Sequence, residues 1–192
     1  MTLCVSTSSP LVSVAVVASG EVVWTFERMA SPSVNPILRE AFGEMLAAVD
    51  RDQISELVVD AGPGSFIGTR AGVMWVKSIA YAAGKRCGML SSFDLIAPNL
   101  VAAVPNRKYD AFVRRPGSVP ELVSELGSEV EVGYGPLVER IGKDSTFPHA
   151  RRVLEACERV EWTDAEGLKP MYLADPSISV PKRPLNLMER AK

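Results

Sequence analysis

The sequence predicts an α/β fold of two subdomains, the first well formed and the second reduced. Three observations carry that expectation. Near the start, Leu3 to Thr7, Leu11 to Ala18 and Val22 to Phe26 are apolar segments separated by turn residues, the pattern of consecutive strands. At the centre, Ser55 to Asp60 reads as a short buried strand that runs into a glycine-rich turn and then a long apolar helix. Beyond Val104 a second, weaker series of strand and helix signals begins. The expected boundaries are residues 1–103 for the first subdomain, 104–175 for the second and 176–192 for a mobile tail.

Each element has its own justification. Ser8-Ser9-Pro10 turns the chain between the first two strands, and Ser19-Gly20 suits a tight hairpin before the third. Val22, Trp24 and Phe26 alternate with Val23, Thr25 and Glu27, the period of a half-buried strand. Ala30 to Asn35 is a Ser/Pro loop, and Pro36 suits a first helical position with Asn35 as its N-cap. Ile37, Leu38, Ala41, Phe42, Met45, Leu46 and Val49 then recur at helical spacing, while Arg39, Glu40 and Glu44 face away. Asp50 to Gln53 connects to the central strand.

Asp60 ends that strand, and Gly62-Pro63-Gly64-Ser65-Phe66-Ile67-Gly68 follows. Gly62 and Gly64 permit positive φ or close backbone approach, Pro63 stiffens the turn, and Ser65 suits an N-cap. A turn of this kind gathers free backbone N–H groups at a helix N-terminus, where ligands bind. The common phosphate and nucleophile motifs nevertheless fail. No lysine follows Gly68, Ile67 stands where a dinucleotide fingerprint needs its third glycine, and Ser65 is flanked by Pro63 and Ile67 instead of glycines. On the helix from Phe66 to Ala83, Arg70, Met74, Lys77, Ser78 and Tyr81 form one narrow stripe. Ile67, Ala71, Gly72, Val73, Trp75, Val76, Ile79, Ala80 and Ala83 fill the rest, more apolar surface than packing on one sheet requires. Gly84 caps the helix beside Lys85 and Arg86.

Cys87 to Leu90 reads as a strand, Phe93 to Ala103 as a helix interrupted by Pro98, and Arg107 to Val113 as a strand. Val119 to Leu126 suggests a short helix, Glu129 to Val132 a strand, and Val153 to Glu158 a helix. In the tail, Pro176, Pro181 and Pro184 punctuate a segment carrying Lys182, Arg183, Arg190 and Lys192.

Composition narrows the function classes. A net charge of −2 argues against strong autonomous binding to a nucleic-acid backbone, which needs a basic face. Cys4, Cys87 and Cys157 are far apart, there is no C-x-x-C, and His149 is the only histidine, so neither a zinc site nor a disulfide framework is expected. All three thiols are expected reduced and mostly buried. The first eighteen residues lack the basic start of a signal peptide, and no apolar run approaches the roughly 20 residues of a membrane span, so a cytoplasmic protein with no membrane partner is expected. No catalytic or metal-binding residue is assigned. His149 could supply only one base, and Asp60 either touches a ligand or holds the turn's own N–H groups.

Gly62-Pro63-Gly64-Ser65-Phe66-x-Gly68-x-Arg70-x-Gly72-Val73, followed by Lys77-Ser78-Ile79-Ala80, resembles the signature of the TsaB (YeaZ) proteins. The resemblance implies a fold of the actin/Hsp70/sugar-kinase (ribonuclease H-like) type. It also implies a non-catalytic dimerisation and scaffolding subunit for tRNA N6-threonylcarbamoyladenosine synthesis. The main partner would be TsaD, with TsaE at the joint, a second copy as homodimer, and tRNA reached indirectly through the complex. The two central helices would supply the interface, giving Leu38, Phe42, Met45, Arg70, Met74, Trp75, Lys77 and Ile79 as partner-facing candidates. No cofactor would be held strongly by this chain, with ATP or ADP at a partner interface. Leu168-Lys169-Pro170-Met171-Tyr172-Leu173 resembles the Pro-x-Tyr-Leu that closes the family's last ordered segment.

The chain departs from the family pattern at three places. Ser6-Thr7-Ser8 replaces Asp-Thr-Ser, the His-Ser-Glu stretch before the first long helix is absent, and Pro105-Asn106-Arg107 replaces Asp-Ala-Arg. A serine cannot supply the charge of a carboxylate facing Mg²⁺, which counts against nucleotide hydrolysis. Two other readings stay open: a nucleotide-binding or nucleotide-hydrolysing enzyme using the Gly62 to Gly68 turn, and a free-standing homodimer that has lost the tRNA-modification role.

Overall fold

A computed structural model describes residues 1–30 and 33–173. The tail expected from Pro176 to Lys192 lies outside them, as do two residues of the Ala30 to Asn35 loop. The chain forms a mixed α/β structure on two sheets. The larger has the order β10-β5-β4-β1-β2-β3, and the smaller the order β8-β7-β6-β9.

β1 (Thr2–Ser6), β2 (Leu11–Ala18) and β3 (Glu21–Met29) form the expected antiparallel meander. Ser19 and Gly20 both take positive φ, 53° and 81°, as a two-residue turn matched to strand twist requires. β4 (Glu56–Asp60) lies parallel to β1, and β5 (Arg86–Leu90) parallel to β4. Alternation along β1 explains its unbroken apolar run, because both faces of the sheet are covered. Leu3 and Val5 pack towards α1 (Val34–Ala48) and α2 (Phe66–Ala83) with Leu38, Met45, Val73 and Val76. Cys4 packs on the other face with Ala150, Val153 and Ala156.

The helix caps are partly as expected. Ser65 caps α2 by accepting from the Gly68 N–H at 3.2 Å, and Gly84 closes it in the left-handed conformation. At α1 the N-cap is Ser33, two residues before the expected Asn35, which lies inside the helix. Asn35 instead accepts from Trp75 Nε1 at 3.3 Å.

The second half differs from expectation in several places. The helix expected over Phe93 to Ala103 is only α3 (Ser92–Ile96), since Pro98 disfavours helical backbone at Ala97 and cannot donate onward. The strand read over Arg107 to Val113 is a hairpin: β6 (Ala102–Arg107), a turn at Lys108-Tyr109, and β7 (Asp110–Arg114). Val119 to Leu126 is not a helix. Its Glu121–Val123 (β8) adds to the open edge of β7, a pairing that overrides the local helix signal. β9 (Val132–Gly133) is shorter than the expected strand and is followed by α4 (Pro136–Arg140). The helix expected over Val153 to Glu158 is two 3₁₀ turns, Ala150–Leu154 and Cys157–Arg159. These turns cover the larger sheet, and β10 (Glu161–Thr163) then pairs with its β5 edge. The chain therefore returns to the first sheet after forming the second. Cys4 and Cys87 are buried, whereas Cys157 is exposed, contrary to the expectation of mostly buried thiols for this one.

Candidate functional site

The parallel register of β1 and β4 brings Ser6 and Asp60 to the same end of the sheet, where the β1–β2 turn meets the start of α2. Asp60 is fully buried. Its Oδ2 accepts from Ser6 Oγ and Ser8 Oγ, both at 2.6 Å. Its Oδ1 accepts from Ser92 Oγ at 2.7 Å and from the Gly62 N–H at 2.9 Å. The single Ser92 proton also has the Pro63 carbonyl oxygen within reach at 2.8 Å, and the whole group is closed off from solvent by its own chain. Burial raises the Asp60 pKa above the ordinary carboxylate value, and the four hydrogen bonds offset only part of that. Burial likewise raises the Tyr134 phenol, with the neighbouring Asp60 adding to it.

The position expected to carry a carboxylate thus carries a hydroxyl donor to a second carboxylate. Ser6 and Ser8 act as a pair, closing the polar end of the sheet without a second charge.

The glycines serve the same closure. Gly62 has φ +100°, a conformation side-chain-bearing residues rarely take, and a Cβ there would stand 3.3 Å from the Met171 carbonyl oxygen. A Cβ on Gly64 would overlap the Ser8 carbonyl, one on Gly68 the Thr7 carbonyl, and one on Gly72 the Thr7 hydroxyl. Between them, the Ser65 N–H donates to Ser8 O at 2.6 Å and Thr7 Oγ1 donates to Gly68 O at 2.8 Å. What looks in sequence like a phosphate cradle holds the serine-rich turn of the same chain. Gly62, Gly64 and Gly68 are brought together with this turn, and Pro63 and Ser65 with them. Phe66 stands apart at the rim, 44% exposed and 5.3 Å from the Tyr172 ring.

Ser92, Tyr134 and Gly72 belong to the cluster and were not among the sequence candidates. Four-residue spacing from Gly64 through Gly68 to Gly72 signalled the third. No local signal marks Ser92, which reaches Asp60 across 32 residues.

The expected partner-facing residues divide into two groups. Leu38, Phe42 and Met45 are buried in the core, so they face the sheet and α2 and present no surface to a partner. On α2 the exposed stripe is Ile67, Arg70, Met74, Ser78 and Tyr81. Ile67, expected on the wide apolar arc, is 77% exposed and stands on this stripe, and Met74 and Tyr81 are 56% and 77% exposed. Trp75 and Ile79 are half-buried against the core, and the Trp75 ring stacks on Phe42 at 5.0 Å. Lys77 is committed elsewhere: its ammonium donates to the Glu166 and Leu168 carbonyls. Asn35, Arg70, Met74, Trp75 and Ile79 line an open groove of about 560 Å³ on this face. His149 Nδ1 lies 2.7 Å from Glu27 Oε1, away from the Asp60 cluster. No helix among the described residues is long and apolar enough to cross a membrane.

No family model and no curated protein matches this sequence. Solved structures do match the fold. A Pseudomonas aeruginosa protein described as uncharacterised, with similarity to peptidase YeaZ, superposes with a TM-score of 0.76 at 19% identity, over 90% of this chain and 99% of that one. YeaZ from Pseudomonas aeruginosa superposes with a TM-score of 0.70 at 20% identity over the same shares.

Proposed function

We propose that this chain, which has the fold of YeaZ, is a TsaB (YeaZ)-type subunit: a non-catalytic scaffold that docks TsaD in tRNA threonylcarbamoyladenosine synthesis. The observation that carries the reading is the outer stripe of α2. Ile67, Met74 and Tyr81 repeat every seven residues on one line, all more than half exposed, above the half-buried Trp75 and Ile79. Apolar side chains one heptad apart fall on a single line of the helix, half of the pattern by which helices pack on one another. The resemblance of Gly62 to Ala80 to the family signature and the shared fold support the same conclusion. In this reading the structure is of the actin/Hsp70/sugar-kinase class, TsaE joins at the TsaB–TsaD junction, and tRNA and any ATP or ADP are handled by the assembled complex. A second copy would use the same helix face in the absence of TsaD.

The closed Asp60 cluster favours this reading over the nucleotide-hydrolysing one, because that carboxylate is fully buried and turned to hydroxyl and N–H donors of its own chain. The test is co-purification with TsaD from the same cell, beside a Met74→Glu variant. A stable complex with the wild type, lost in the variant, is expected. A wild-type chain that stays alone at high concentration overturns the reading.

A further inference from the structure

Where the β10 edge of the larger sheet meets the approach to β8 in the smaller one, the fold leaves a cavity of about 350 Å³. Its walls come from β5 and β10, the start of α3, the end of β7 and residues 118–120. None of Gly62 to Gly68 lines it, and neither does the turn at Lys108-Tyr109. The volume lies at the small end of the range for small-molecule sites. We infer that this cavity binds a small carboxylic acid on a branched aliphatic body, with Arg159 receiving the carboxylate.

Three observations carry the proposal. First, the charges of the lining do not balance. Arg114 is 8% exposed and locked in place: Nη1 donates to Asp94 Oδ1, and Nη2 to the Ala97 and Pro98 carbonyls. Arg159 Nη1 donates to the same Asp94 oxygen at 3.2 Å, while Ser91 occupies Oδ2. One carboxylate thus faces two guanidinium groups, and among the described residues no other carboxylate pairs with either. A buried, immobile Arg114 requires that counter-ion, so the charge of Arg159 is left over. The other two charges of the lining, Lys169 and Glu161, are exposed, in no ion pair among the described residues, and of opposite sign. Second, Arg159 has donors to spare and its side chain is 40% exposed. Nη1 also reaches the Pro98 carbonyl and Nη2 reaches Asn99 Oδ1, which leaves the Nε–H and one Nη2–H undonated. Carboxylates are the natural acceptors for such a pair. Third, the remaining walls are aliphatic. Leu90, Met89 and Met171 line the cavity with Pro120 and Val119, and Val119 is 81% exposed. The single ring of the lining, Phe93, is fully buried with the Arg114 guanidinium over it, so nothing offers an open face for stacking. A branched aliphatic body would cover Val119 and these walls. The proposal is independent of the subunit reading, since the site belongs wholly to this chain and is assayed without a partner.

The experiment titrates the full chain alone with 4-methylpentanoate, leucine and 4-methylpentan-1-ol, by calorimetry or by ligand-observed NMR. Saturable binding of at least one of the two acids, with a Kd at or below about 1 mM, is expected, with the alcohol at least tenfold weaker. Leucine reads whether the ligand also carries an ammonium for Glu161: tighter binding than 4-methylpentanoate names an amino acid, weaker binding a simple acid. Arg159→Met keeps the stem and removes the charge; it should weaken acid binding at least tenfold, the loss of a charged hydrogen-bonded pair. Val119→Asp places a like charge at the mouth and should weaken acid binding about tenfold. Because Val119 is so exposed, its replacement should leave the melting temperature unmoved, which keeps the test open if Arg159→Met folds poorly. The proposal is overturned if neither acid saturates, if the alcohol binds as tightly as the acids, or if Val119→Asp or a folded Arg159→Met binds as the wild type does.

Discussion

The two faces of α2 solve opposite problems with one helix. Its inner face is made of Gly68, Gly72, Val73, Val76 and Ala80, cut down at two positions so that the Thr7 carbonyl fits against Gly68 and the Thr7 side chain against Gly72. Its outer face is made of Ile67, Met74 and Tyr81, large side chains left in water. A small residue against a carbonyl and a large residue against solvent are each unfavourable choices for a helix considered alone. Together they show a helix fixed on one side by the serine-rich turn and offered on the other. Substitutions on the inner face should therefore be read in folding, and those on the outer face in association.

The largest effect is expected at Gly68. A methyl group there would run into the Thr7 backbone carbonyl, and backbone has little room to yield. Helix propensity favours alanine over glycine by about 1 kcal/mol. Overpacking against fixed atoms should outweigh that and leave a net loss of about 2 kcal/mol. Urea denaturation of Gly68→Ala measures it, and stability at or above wild type would end the claim that the glycines exist for close approach.

Next in size is Ser6→Asp, which restores the family pattern at that position. Its carboxylate would stand where a hydroxyl now donates to Asp60 Oδ2, inside a site with no exposed atoms at Ser6 or Asp60. Two like charges without a counter-ion in such a place should cost about 3 kcal/mol at neutral pH. The loss should shrink on acidification, because sharing a proton removes the repulsion. Ser6→Ala is the milder control, at about 1 to 3 kcal/mol for a donor removed from a buried carboxylate.

These two residues also mark what the sequence tells and withholds. The meander, the glycine turn, the Ser65 cap and the Gly84 stop were legible because each is written in neighbouring residues. The Asp60 cluster was half legible. Gly62 donates from two residues away, but Ser6, Ser8 and Ser92 come from 54, 52 and 32 residues away, a register no local pattern encodes. Leu38 and Met74 are alike in hydropathy yet one is fully buried and the other 56% exposed, because periodicity says which residues share a face and not what covers it. The second half was the least legible. β8 and β10 are three residues each, and they are strands because β7 and β5 present open edges to them.

A pH titration sharpens the inner side further. The folded-state pKa of Asp60 is raised by burial, so the folded protein holds a proton that the unfolded chain releases near pH 4. The sign follows: this group's contribution is most favourable below the unfolded pKa and declines as pH rises through the raised folded one. Asp60→Asn has no such dependence. The stability of the wild type relative to Asp60→Asn should therefore fall as pH rises above about 4. A wild-type advantage that grows with pH would mean that the four donors, and not desolvation, control the group.

The smallest effect on folding, and the most informative about the outer face, is expected from Met74→Glu. Met74 projects into water from the middle of the exposed stripe, so a charge there meets solvent and should change stability by no more than about 0.5 kcal/mol. The neighbouring Trp75 is a harsher comparison. It is half-buried, stacks on Phe42 at 5.0 Å and donates to Asn35, so Trp75→Glu would disturb the α1–α2 contact as well as the surface. Loss of a complex in Trp75→Glu alone would leave folding and docking confounded. A complex lost in Met74→Glu, with the denaturation midpoint unmoved, separates them and assigns the stripe to binding. If Met74→Glu instead lowers the midpoint by as much as Gly68→Ala, the outer face is structural, and the division of α2 into a fixed side and an offered side fails.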